Sequence, residues 1–126
     1  MEKALRYEFN KIVEIKDNIY PTNAPKGKKA PYLVYLSNRS PLKDLDGTKS
    51  NIDGEILLNI LCESYFEMKD LSSKVERLLK TFPLRRIGDN RIYIDDLTIE
   101  TISETYESEL SLYRGIITFK LNYMEE

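Results

Sequence analysis

Three prolines within eleven residues, Pro21, Pro25 and Pro31, separate an amphipathic helical pattern from an apolar strand pattern. Each pyrrolidine ring fixes its own φ and biases the residue before it towards extended backbone. Residues 17 to 31 therefore read as an ordered, extended crossing rather than a flexible linker. On its N-terminal side, residues 2 to 16 suit a helix, with Leu5, Phe9, Ile12 and Val13 on one face and Glu2, Arg6, Lys11 and Glu14 elsewhere. On its C-terminal side, residues 32 to 39 suit a strand, with Pro31 ahead of it where a missing N–H is tolerated.

Further elements follow by period. Residues 40 to 51 hold Pro41, Gly47, Asp, Asn, Ser and Lys without periodicity, which is turn chemistry. Residues 52 to 62 suit a strand whose inner face is Ile52, Ile56, Leu58, Ile60 and Cys62. Ser64-Tyr65-Phe66-Glu67 has the form of a capping box. The helix it opens carries Met68, Leu71, Val75, Leu78, Leu79 and Phe82 at three-and-four spacing and ends at Pro83. Residues 91 to 106 read as a long strand whose phase changes between Ile94 and Leu97, which places a bulge near Asp95-Asp96. The last strand, 112 to 123, sets Tyr113, Ile117, Phe119, Leu121 and Tyr123 on one face.

The order α-β-β-α-β-β predicts an α+β fold: an antiparallel four-stranded sheet with two helices packed on one face. At 126 residues, with 41% apolar and 32% charged, the chain fits one domain, 1–126, with one core. The opposite face of the sheet is expected to carry Leu33, Tyr35, Leu57 and Leu61, apolar positions that suit contact with a partner.

Several function classes find little support. A net charge of -2 gives no overall basic field for nucleic acid or anionic membrane. The charged N-terminus lacks the apolar core of a signal peptide, and no run approaches membrane-spanning length, so a cytoplasmic origin is expected. There is no histidine, no nucleophile elbow and no glycine-rich phosphate loop. The single cysteine, Cys62, ends an apolar strand pattern and reads as a small core residue. No catalytic residue, cofactor or metal is expected.

The remaining motifs each have a plain reading. Asp44-x-Asp46-Gly47 opens like a calcium loop but lacks the later ligands, so the aspartates read as turn formers. Asp95 and Asp96 are adjacent on a strand and diverge unless the bulge re-aims one. Lys26-Gly27-Lys28-Lys29 lacks the spacing of a phosphate loop. Arg85-Arg86 lies just past a helix C-terminus, where cations suit the dipole. Asp95 to Glu109 holds six acids and no Lys or Arg, either a solvated face or the lining of a channel that DNA traverses without sticking. Tyrosines such as Tyr32, Tyr35, Tyr113 and Tyr123 suit half-buried sheet surfaces and interfaces.

Taken in order, Ile19-Tyr20-Pro21, Ala24-Pro25, Pro31-Tyr32-Leu33-Val34-Tyr35, the Ser64-to-Phe82 helix, Tyr106, and Tyr113-Arg114-Gly115 with Thr118-Phe119 resemble the tail-completion (tail-terminator, head-tail joining) proteins of long-tailed bacteriophages and prophages. The resemblance implies a structural protein with no catalytic residues. It implies a hexameric ring at the head-proximal end of the tail tube, with the tail-tube and head-connector proteins as partners. DNA would pass through the lumen without specific binding, and the protein would reside in the virion after assembly in the host cytoplasm. The connection at 40 to 51, with Asp44, Asp46 and Lys49, would then face a neighbouring subunit or the lumen. Two alternatives stay open: a small bacterial adaptor of the same fold, and a metal-dependent enzyme built on Asp95, Asp96, Asp44 or Asp46.

Overall fold

The computed structural model describes residues 1–41, 51–89 and 91–124. The N-terminal pattern forms α1, Glu2–Phe9, followed by a single 3-10 turn at Val13–Ile15. After the crossing come β1 (Ile19–Pro21) and β2 (Tyr32–Pro41). Next are β3 (Asn51–Cys62), α2 (Tyr65–Leu79), β4 (Arg85–Ile87), β5 (Ile92–Glu107) and β6 (Leu112–Met124).

The sheet corrects the expected architecture. It has six strands in the order β1-β2-β3-β6-β5-β4, and it is mixed, because β1 runs parallel to β2. The two expected hairpins, β2–β3 and β5–β6, are antiparallel and join through an antiparallel β3–β6 pair. The additions come from the proline crossing and from the residues that follow Pro83. Asn18 to Pro21 lies down beside β2, with Leu33 N–H donating to the Asn18 carbonyl at 2.9 Å. After Pro83, Leu84 turns the chain at φ 62° and donates its N–H to Ile94 at 2.7 Å, which sets β4 against β5.

The first helix is shorter than its pattern. Ile12 is extended, the β-branched Val13 is 82% exposed, and Ile15 is buried in its place. Asn10 favours this stop, because its side chain accepts the Asp17 N–H at 2.9 Å and so competes with helix continuation. The second helix begins as expected, with Ser64 Oγ accepting the Glu67 N–H at 3.0 Å. Arg85 closes its other end by donating to the Thr81 carbonyl at 2.6 Å.

Both helices lie on one sheet face. The main core there joins Leu5 and Phe9 of α1, Met68, Leu71, Val75 and Leu79 of α2, and Phe82 to Ile56, Leu58, Ile60 and Cys62 of β3 and Ile117, Phe119, Leu121 and Tyr123 of β6. The bulge expected near Asp95 is present, with a register shift between Ile94 and Asp96, and a second shift falls between Ile99 and Thr101.

Candidate interaction surface

The outer sheet face is assembled differently from the pattern's expectation. Leu33 and Tyr35 point at the helices and belong to the main core. Tyr32 and Val34 take the outer face instead, where they form a second cluster with Leu61 and Leu112. Pro31 to Leu36 is nearly all apolar, so its alternation does not select a face; pairing Leu33 with Ile60 and Tyr35 with Leu58 does. Leu61 is buried in this second cluster and Leu57 is half-buried. Asp44, Asp46 and Lys49 lie outside the described residues.

The proline crossing covers much of that face. Tyr20, Ala24 and Ala30 pack on the second cluster, and the Tyr20 and Tyr32 rings meet edge to face at 6.4 Å. A cavity of about 530 Å³ remains between the crossing and the strands, with Lys26 and Lys28 at its lip. Arg114 borders it, donating to Asn59 Oδ1 at 3.4 Å and pairing with Glu107 at 3.2 Å. Its Nε is buried with no partner among the described residues.

A second exposed feature lies at the other side of the sheet. Phe66, Tyr65, Tyr113 and Tyr106 form a chain of edge-to-face contacts with centroid separations of 5.6, 5.9 and 4.9 Å. Phe66 is 82% exposed and Tyr106 51%. Tyr65 donates its hydroxyl to Glu104 at 2.9 Å, and Lys69 pairs with the same carboxylate at 3.2 Å. Those two contacts hold the Glu104 carboxyl below its ordinary range. Exposed aromatics beside satisfied polar groups are the composition of protein interfaces. The patch had a sequence signal: Phe66 sits in the first turn of α2, off the buried Met68-Leu71-Val75 face.

The acidic run is partly neutralised within the chain. Glu100 pairs with Lys120 at 3.6 Å, Glu104 with Lys69 and Glu107 with Arg114. A uniformly acidic lining is therefore weaker than its composition implies. Asp95 is half-buried and Asp96 exposed at the bulge. Among the described residues, no three of His, Cys, Asp and Glu converge on one point. Cys62 is fully buried, and burial pushes its thiol up to about 12, so it stays protonated and unreactive near neutral pH. Among the described residues, no helix is long and apolar enough to cross a membrane.

No protein-family model and no curated protein matches the sequence. The fold does have solved relatives. A chain of the virion of a native gene transfer agent (GTA) particle is similar at TM-score 0.65 and 12% identity, over 93% of this chain and 84% of its own. A second solved structure is similar at TM-score 0.57 and 13% identity, over 100% of this chain and 97% of its own. At these identities the likeness is one of fold.

Proposed function

We propose that this chain is a structural protein of a phage or phage-like particle that completes the tail. In this reading it forms a ring, with six copies the expected number, at the head-proximal end of the tail tube and joins the tube to the head connector. Its work is ring closure and docking, with no bond made or broken. The observation that carries it is the fold shared with a chain of a gene transfer agent virion across 93% of this protein. The sequence resemblance to tail-completion proteins supplies the finer assignment.

The exposed Phe66, Tyr106 and Leu36 support a protein-binding role, since each leaves apolar surface that a neighbour can cover. Leu57, paired with Leu36 across β2 and β3, belongs to the contact surface on that face, whereas Leu33 and Tyr35 support it only from the core. Asp44, Asp46 and Lys49 are assigned to the contact with a neighbouring subunit or the lumen. DNA passes without specific binding, and the protein ends in the virion.

Deleting the gene from a genome that carries it, inducing particles and imaging the lysate tests the proposal. Filled heads and unjoined tails, restored to whole particles by the gene in trans, are expected. Normal joined particles in the deletion strain would assign the fold to a bacterial adaptor instead.

A further inference from the structure

Among the described residues, both edges of the sheet carry stretches with no further strand beside them, and the pairing register fixes which main-chain groups point outward there. Leu84 N–H donates to the Ile94 carbonyl, which turns Ile94 away from its β6 partner, Tyr123. The register of β6 with β3 is unbroken from Tyr123 to Tyr113. Alternation then aims Thr118, Ile116, Arg114 and Leu112 at β5. Their partners Thr101, Ser103, Thr105 and Glu107 turn inward. Ile102, Glu104 and Tyr106 therefore turn their N–H and C=O groups outward, past the point where β4 covers the strand.

The opposite edge has a matching stretch. Thr22 N–H donates to the Tyr35 carbonyl, so Tyr35 faces β1 and, counting by twos, Ser37 and Arg39 also face outward. β1 covers β2 only from Leu33 to Tyr35, and Pro21 leaves β1 itself a poor edge for pairing.

We propose that the β5 edge from Ile102 to Tyr106 pairs antiparallel with the β2 edge around Ser37 and Arg39 of a second copy of this chain. Three successive antiparallel pairings set β2 and β5 in opposite senses, so a copy placed alongside in the same sense meets it antiparallel. Two β5 edges do not suit each other. Asp96 to Glu107 holds four acids and no Lys or Arg; three of them already pair with Lys120, Lys69 and Arg114 of their own chain, so a second β5 strand adds carboxylates and no cation of its own to meet them. Leu36 to Pro41 carries Arg39 as its one charge. Ile102 and Tyr106, each 51% exposed, flank the edge and gain cover from the added strand. Because the two edges differ, the contact is head-to-tail and can close into a ring. This deepens the proposed ring by naming its strands.

Mixed cross-linking tests it. Thr105→Cys and Asn38→Cys variants are prepared separately, checked for native melting, and treated with a short bismaleimide alone and mixed. A covalent pair is expected only in the mixture, because each contact uses one residue from each edge. Backbone amide exchange of the wild type at low and high concentration gives a second readout. Ile102, Glu104, Tyr106, Ser37 and Arg39 are expected to slow by about tenfold or more on assembly. Cross-linking of either variant with itself alone, assembly with those amides still fast, or a monomer at every concentration would overturn the pairing. Lysate imaging of the deletion strain reads tail completion independently, so the two proposals fail separately.

Discussion

Glu8 in α1 and Gly88 in the turn before β5 lie 80 residues apart, and the Glu8 carboxylate accepts the Gly88 N–H at 3.0 Å. The same carboxylate meets Arg85 Nη2 at 3.3 Å and Lys11 Nζ at 3.2 Å, on a side chain that is 2% exposed. Gly88 adopts φ 76°, a left-handed conformation that glycine reaches without a Cβ penalty. One buried acid thus fastens the first helix to β4 and to the edge of the sheet.

That contact predicts an acid-labile domain. Burial opposes ionisation of Glu8, but the Gly88 amide, Lys11 and Arg85 outweigh it and hold the carboxyl below 4.5. A depressed carboxylate contributes stability above its unfolded value and loses it as pH falls through the folded value. Melting followed downward from neutral pH should show the wild type losing more than Glu8→Gln, which keeps an acceptor and cannot titrate. Glu8→Ala leaves Gly88 and Arg85 without that partner and should cost about 1–3 kcal/mol at neutral pH. Identical acid limbs for wild type and Glu8→Gln would assign the loss to another group.

Gly115 in β6 predicts a steric dependence. A Cβ there would lie 2.5 Å from Ser72 Oγ and 3.1 Å from Met68 Sδ, both on α2. Gly115→Ala should destabilise by about 1–3 kcal/mol through overpacking. Removing the Ser72 hydroxyl clears the closest atom, so Gly115→Ala with Ser72→Ala should recover most of that loss. Denaturant midpoints of the two single variants and the double give the coupling. Additive losses would mean that β6 and α2 do not approach this closely.

Two phenylalanines should respond oppositely. Phe82 is fully buried beneath the end of α2, and Phe82→Ala should cost about 3–5 kcal/mol. Phe66, 82% exposed, should tolerate Phe66→Ser within about 0.5 kcal/mol. If Phe66 belongs to a contact surface, the same change should weaken self-association measured by sedimentation while leaving the melting transition in place.

Which parts of this fold were legible follows from length and contrast. Twelve-residue β3 alternates apolar and polar over most of its length, and its inner face from Ile52 to Cys62 is the one the sequence implies. β1 and β4 span three residues each, too few for a period to register, and each depends on a partner strand. The all-apolar start of β2 carries no contrast between faces, so Leu33 and Tyr35 could be placed only by pairing. Glu8 gave one faint signal, its position between the apolar Leu5 and Phe9 of the helix. Lys11 is a local partner, but Arg85 and Gly88 are strand and turn residues that no local pattern connects to Glu8.

Cys62 predicts an alkaline limb to match the acid one. Burial, reinforced by Glu67, pushes its thiol up to about 12, against 9.0 for the free group. Above pH 9 the unfolded chain releases this proton while the folded chain keeps it. The unfolded state then binds fewer protons, so stability falls as pH rises through that window. Cys62→Ala removes the titration and leaves only a small void, so its melting temperature should fall less steeply above pH 9 than that of the wild type. Cys62→Ser places a hydroxyl in the same apolar site and should be less stable than Cys62→Ala at neutral pH by about 1–3 kcal/mol if that hydroxyl stays unpaired. In the native wild type at pH 8, a disulfide reagent should label Cys62 only as fast as the domain opens, accelerating with denaturant. Rapid labelling under native conditions would place the thiol at an accessible surface and remove it from the core contact with α2.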